Sequence, residues 1–153
     1  MTHTNSDLKT QLQKLDSLFE EYLVKKAPSL PEKAKDVIVS FGPYIELLLI
    51  IISLPALLAI FGLGAALMPF SFMGGISVGF GYTLGMLYSA ATIVLGIIAL
   101  PGLFKRAKSA WNLLYYSALI GVIYNALTLN IGGLVIGTLL NLYILYQIKE
   151  YYK

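Results

Sequence analysis

The sequence contains no cysteine and a single histidine, His3, and its charged residues amount to only 12%. Without cysteine there are no disulfides, no thiolate metal ligands and no cysteine nucleophile. One histidine near the start of the chain excludes a histidine-based metal site or a Ser-His-Asp triad among the apolar segments. Hydrophobic residues make up 58%, against about 45–50% in soluble domains. Too few polar residues remain to cover a soluble domain of this size, and the composition indicates a membrane protein.

Charged residues and histidine are missing from two long runs, residues 47–104 and 109–148. A membrane-spanning helix needs about 20 apolar residues, so each run can hold two spans joined by a turn. Lipid offers the backbone no hydrogen-bond partners, which makes helices the expected form of these spans. Turn residues cluster at 69–75 and 130–133. We therefore predict an all-α polytopic membrane protein, a four-transmembrane-helix bundle with spans at about 45–68, 78–103, 109–129 and 133–149.

Every lysine and arginine lies before the first predicted span, in the turn at 105–108, or at the end of the fourth span and beyond. Four spans bring these three regions to one side, so the positive-inside rule places both termini and this turn in the cytoplasm. The first ~30 residues lack the short apolar core of a secretory signal, and the first span should insert as an uncleaved anchor. The expected location is the bacterial cytoplasmic (inner) membrane, with the lipid bilayer as the surroundings of the spans.

Residues 1–42 form a predicted cytoplasmic amphipathic segment, followed by the transmembrane domain at 43–153. Ser29 and Glu32 predict a capping box for a second short helix, which Gly42 and Pro43 should end. The apolar face of the first helix is expected to lie on the inner leaflet or on the chain's own spans, or else to bind a protein partner. That face has helical spacings of four and three: Leu8, Leu12, Leu15, Phe19 and Tyr22.

The predicted spans contain a proline, two asparagines and several glycines that are unusual or informative in a membrane helix. Pro55 should kink the first span and leave the carbonyl of Ile51 without its helical donor, which Ser53 can replace. Asn125 and Asn141 must find hydrogen bonds in lipid, and we expect them to join helices or, alternatively, to bind a solute. Glycines four residues apart allow close helix packing within one chain or between two copies: Gly81 with Gly85, and Gly133 with Gly137.

Glu46 is the carboxylate closest to the predicted spans, in the first helical turn after Pro43. The positive end of the helix dipole favours a carboxylate there, and interfacial water lies within its reach. The functional interpretation of Glu46 is that it belongs to a proton-coupled carrier.

Uncharged spans supply no acid–base pair, no nucleophile–base pair and no metal cluster, so no enzyme, cofactor or metal site is expected. The favoured function is a structural, assembly or interaction module, a non-enzymatic multi-pass integral membrane protein. Its expected protein partner is another copy or another membrane protein, and no nucleic acid is expected. The alternative is a small carrier or channel for a neutral or weakly polar solute, indicated by Pro55, the glycine-rich second span, Asn125 and Asn141.

Overall fold

The computed structural model describes the backbone of residues 3–153 and the side chains of residues 10, 11 and 13–153. The chain is 90% helical, with no strand in the described part, which confirms the predicted all-α class. The α-helices are α1 (His3–Glu20), α2 (Glu32–Ala59), α3 (Ala65–Ser71), α4 (Ile76–Phe104), α5 (Lys108–Leu127) and α6 (Leu140–Gln147). Turns of π-helix at Glu21–Lys26, Ile60–Gly64 and Gly133–Leu139 extend α1, join α2 to α3 and lead into α6. Turns of 3₁₀-helix follow α3 at Phe72–Gly74 and α6 at Lys149–Tyr151.

Two helical segments, Glu32–Gly74 with 43 residues and Ile76–Phe104 with 29, are long and apolar enough to cross a membrane. The first runs from the charged N-terminal region through the first predicted span and beyond it. The segment Gly133–Gln147 is a shorter apolar helix. α4 packs against both α2 and α5, and the last helical segment packs against α5.

The predicted break at Gly42 and Pro43 is wrong, because α2 continues through both residues. A proline inside a helix removes one backbone hydrogen bond, and the helix here nevertheless continues, with Val39 and Pro43 both buried. The predicted capping box is also wrong. Pro31 occupies the N-cap of α2, and no side chain caps the helix there.

Pro55 lies inside α2, as predicted, but Ser53 does not satisfy the carbonyl of Ile51. Its hydroxyl donates instead to the carbonyl of Leu49, four residues earlier, at 2.6 Å. This is the ordinary local hydrogen bond of a serine within a helix, and it uses the hydroxyl proton of Ser53.

The chain reverses at three places, each marked by a residue with positive φ. Gly75 has φ 108° between α3 and α4, and Arg106 and Leu129 each have φ 53°. These positions fall within or next to the three turns predicted from the sequence. Glycine is needed at position 75, since other residues rarely adopt such a backbone conformation.

The buried core lies at the end of the molecule where the charged segments meet. Trp111 is buried there, and its indole N–H donates to the carbonyl of Leu145 at 2.7 Å, joining α5 to α6. The backbone of Lys153 pairs with the turn at 105–108, since its N–H donates to Arg106 (3.0 Å) and its carbonyl accepts from Lys108 (2.9 Å). The turn at 105–108 and the C-terminal residues therefore lie together. The core residues are Val39, Ala99, Leu103, Ala110, Trp111, Tyr115, Ala118, Leu142, Leu145, Tyr146, Ile148 and Tyr152.

Away from this core, the long helices carry large apolar side chains on their outer surface. Leu58 is 75% exposed and Ile76 is 83% exposed, with many more Leu, Ile, Val and Phe side chains exposed along α2 and α4. An apolar surface this extensive is typical of a face that contacts lipid or other proteins.

Candidate functional site

Two adjoining hollows between the helices form a polar cleft, which is the candidate site. They have volumes of about 280 Å³ and 310 Å³ and share Thr92, Ser117 and Asn141. The first is lined by Glu46, Leu49, Ile50, Ser53, Thr92, Ile93, Leu114, Ser117 and Asn141. The second is lined by Tyr88, Thr92, Ser117, Ala118, Gly121, Asn125, Gly133, Gly137, Thr138 and Asn141. Helices α2, α4, α5 and the last helical segment all contribute side chains to the cleft.

Glu46 lines the first hollow with a half-buried side chain. It has no ion pair or hydrogen bond with any of the described residues. Its Oε1 lies against Gly96 of α4, where a Cβ atom would come within 2.5 Å of it. Glycine at position 96 therefore makes room for the carboxylate. The sequence pattern did not single out Gly96, because its importance depends on a side chain from another helix.

Asn125 joins α5 to the last helical segment, as expected of an amide in an apolar environment. Its Nδ2 donates to the carbonyl of Gly121 at 2.8 Å and to Oγ1 of Thr138 at 3.3 Å. The buried Thr138 hydroxyl donates in turn to the carbonyl of Gly133 at 3.3 Å. A side chain at position 133 would collide with Oδ1 of Asn125, so Gly133 is a close-packing position.

Asn141 differs from the expectation that it joins helices. Its side chain is exposed where the two hollows meet, and it makes no hydrogen bond with the residues whose side chains are described. α6 places Asn141 at the open cleft, in both hollows together with Thr92 of α4 and Ser117 of α5. The second expectation for this residue, a position that contacts a solute, stays a prediction.

The glycines predicted to pack closely fall into two groups. Gly133 is tightly enclosed, and a Cβ at Gly85 would lie 3.5 Å from Oη of Tyr124, an ordinary contact. A Cβ at Gly81 or Gly137 would have nothing within 4 Å. Within one chain these two are therefore not close-packing positions. The four-residue spacing identifies a face of a helix but does not show whether a second helix lies against it.

Two hydroxyl groups in the cleft, those of Ser53 and Thr92, give their protons to their own helices. Thr92 donates to the carbonyl of Tyr88 at 2.9 Å and shares its proton with the carbonyl of Ser89 at 3.1 Å. Ser53 donates to Leu49, as described above. The oxygens of both side chains keep free lone pairs and can accept a hydrogen bond from a molecule in the cleft. Among the described residues, no group of three His, Cys, Asp or Glu side chains could hold a metal ion.

The N-terminal arm, residues 10–30, lies against the last helix and the core. Phe19 is half-buried with its ring centroid 6.1 Å from that of Tyr146, and Leu23 also packs on the core. Leu15 and Tyr22 are 42% and 57% exposed. The side chains of Leu8 and Leu12 lie outside the described residues. The predicted interaction face is thus divided, with Phe19 packed inward and Leu15 and Tyr22 facing outward.

Polar contacts hold this arm in place. The buried Gln147 accepts from the backbone N–H of Leu30 at 3.1 Å and donates to the carbonyl of Leu23 at 2.9 Å. Tyr143 donates to the carbonyl of Pro28 at 2.5 Å, and Tyr146 donates to Asp16. The ammonium of Lys149 lies 3.4 Å from carboxylate oxygens of both Asp16 and Glu20. Sequence analysis missed Gln147, and the available signal was an amide at the end of a long uncharged run.

One polar pair connects the C-terminal residues to the start of α2. Tyr151 donates from Oη to Oε2 of Glu32 at 2.9 Å. This hydrogen bond raises the pKa of Tyr151 to about 12. The same bond, together with the neighbouring ammonium of Lys35, lowers the pKa of Glu32.

No protein-family model, curated protein or solved structure matches the chain.

Proposed function

We propose that the chain is a multi-pass integral membrane protein with four spans and both termini in the cytoplasm. Two helical segments have the required length and apolarity. At about 1.5 Å per residue, the 20 residues of α5 extend about 30 Å, the thickness of the hydrocarbon core. The meeting of the turn at 105–108 with the C-terminal residues supports a common side for these basic regions.

The proposed function is to bind a small polar solute in the cleft and to carry it across the membrane. The observation that carries this proposal is the cleft itself, which gathers Glu46, Ser53, Thr92, Ser117 and Asn141 between otherwise apolar helices. A polar group in a lipid environment needs a hydrogen-bond partner, and Asn141 has none among the described residues. A volume of about 280 Å³ is near the lower end of the range for small-molecule sites.

Two glycines allow a matched test of this function. Gly137 lines the second hollow, Gly81 lines neither, and both have open space where a side chain would begin. We expect Gly137→Leu to fill the hollow and slow solute entry, and Gly81→Leu to leave it unchanged. The measurement is stopped-flow swelling of proteoliposomes with glycerol, urea and methylammonium as solutes. Rates equal to those of empty liposomes for all three solutes, or equal slowing by both substitutions, would contradict the proposal.

A second candidate function, the assembly or interaction module, is favoured by a different observation. Leu15, Leu18 and Tyr22 form an exposed apolar stripe on the arm, with Leu18 49% exposed. Such a stripe is unfavourable in water, at about 25 cal/mol per Å² of apolar surface, and needs lipid or protein to cover it. Crosslinking in native membranes tests for a protein partner. Recovery of monomer only, unaffected by Leu18→Asp, would count against this function.

A further inference from the structure

We propose that the solute bound in the cleft is a small organic cation of the ammonium type, held against the carboxylate of Glu46. This inference rests on the proposed solute-binding function and specifies the chemical class of the solute. It is supported by the charge, by the hydrogen-bonding capacity and by the shape of the first hollow.

The charge of the hollow is set by Glu46. The chain's lysines and arginines lie outside the residues that line it, and no described cation pairs with this carboxylate. A carboxylate among apolar helices needs a proton or a bound cation to neutralise it. An anionic solute would be repelled by the carboxylate and would meet no positive side chain.

Several hydrogen-bonding groups around Glu46 are acceptors, and Ser117 and Asn141 add groups that can both donate and accept. The protons of Ser53 and Thr92 are used within their own helices, which leaves their oxygens as acceptors toward the hollow. In the adjoining hollow, the Nδ2 of Asn125 is also occupied, by Gly121 and Thr138. Together with the carboxylate of Glu46, the oxygens of Ser53 and Thr92 suit a solute that carries donors, and a primary ammonium group carries three.

The size and the remaining lining favour an organic cation over a bare metal ion. A space of about 280 Å³ is several times the ~30 Å³ that one water occupies in the liquid. Apolar side chains line it beside the polar ones: Leu49, Ile50, Ile93 and Leu114. An alkyl group can contact these side chains while its ammonium end contacts Glu46.

Binding of the cation is coupled to a proton at Glu46. When Glu46 carries a proton, its carboxyl releases that proton as the ammonium arrives, so a carboxylate–ammonium pair replaces the carboxylic acid and one proton leaves the cleft. Among the described residues that line this hollow, Glu46 is the only titratable one, and Tyr88 lines the adjoining hollow. The residues of α4, α5 and α6 that line this hollow or lie against Glu46 are all uncharged: Thr92, Ile93, Gly96, Leu114, Ser117 and Asn141.

The test compares three solutes of similar size on the full-length protein in nanodiscs: n-butylammonium, n-butanol and butyrate. Calorimetry, with empty nanodiscs as the blank, should show n-butylammonium binding about tenfold or more tightly than n-butanol, since a hydrogen bond to a charged group exceeds a neutral one. Its affinity should rise with pH as the competing proton is removed. Affinity for the cation that is independent of pH would overturn the exchange with a proton.

Substitutions assign the effect to Glu46. We expect Glu46→Gln, which keeps the shape of the side chain, to remove the preference for the cation. Thr92→Val, which removes one acceptor, should weaken cation binding. Glu150→Gln is the matched control, because Glu150 is exposed and lines neither hollow, and it should bind like the unmodified protein. Circular dichroism confirms that each variant is folded.

The outcomes separate this inference from the function on which it rests. Equal binding of n-butanol and n-butylammonium, or an unchanged cation preference in Glu46→Gln, would overturn the cation assignment and leave solute binding intact. Binding of none of the three solutes, together with swelling rates of empty liposomes, would overturn the proposed function itself.

Discussion

At the scale of single residues, the hydrogen bond between Tyr151 and Glu32 predicts how the phenol of Tyr151 titrates. Replacing Glu32 with Gln removes the carboxylate that holds the tyrosine proton, so the pKa of Tyr151 should fall from about 12 toward its ordinary value of 10.0. The measurement is ultraviolet difference titration of the phenolate, with Tyr151→Phe identifying the contribution of this residue. An unchanged titration in Glu32→Gln would show that the bond does not form.

The same pair sets two pH limits on the contact between α2 and the C-terminal residues. The raised pKa of Tyr151 means that its contribution to stability is complete below about pH 10 and is lost as pH rises through about 12. The lowered pKa of Glu32 means that its contribution is present above the unfolded pKa near 4.5 and is lost as pH falls through the folded value. Both groups are at the surface, so the effect on total stability is small.

Individual site residues were predictable where local chemistry alone decides their role. Asn125 and Gly133 are such cases, because an amide in an apolar environment needs partners and a glycine permits close approach. The position of Glu46 against Gly96, in the same hollow as Asn141, was not predictable. It depends on how each helix is rotated about its axis, which is set by packing over the whole bundle.

At the scale of secondary structure, the positions of the helices followed from apolar runs and turn residues, but their ends did not. Pro43 was predicted to end a helix because it lacks a backbone donor, yet α2 begins at Glu32 and passes through it. Val39 and Pro43 are both buried in the folded chain. A single sequence does not reveal that burial in advance.

The arm gives a prediction at this scale. Gln147→Leu should loosen the arm, because it removes the hydrogen bonds to Leu23 and Leu30. Two such bonds contribute about 1–3 kcal/mol together, so cleavage by trypsin after Lys26 should be about fivefold faster or more. Gln11→Leu is the matched control at an exposed position. Equal cleavage rates in the two variants would show that Gln147 does not hold the arm.

At the scale of the whole molecule, the one-sided distribution of lysine and arginine predicts the orientation in the membrane. Because the chain has no native cysteine, single cysteines can report it directly. We expect Lys26→Cys, Ala107→Cys and Lys153→Cys to be labelled from the cytoplasmic side, and Ser71→Cys and Asn130→Cys from the outside. The measurement uses an impermeant maleimide on intact cells and on inverted vesicles. Labelling of Ala107→Cys from outside would contradict the four-span arrangement.

The contacts between the arm and the last helix also constrain the order of events during biosynthesis. Leu30 and its partner Gln147 are 117 residues apart. At about 5–20 residues per second, the ribosome needs about 6–23 s to make the chain between them. Throughout that interval the arm has been synthesised but its binding site on α6 does not exist. Attachment of the arm to the bundle therefore occurs only in chains whose last helix has been made, and until then its apolar side chains are accessible to the translation and insertion machinery.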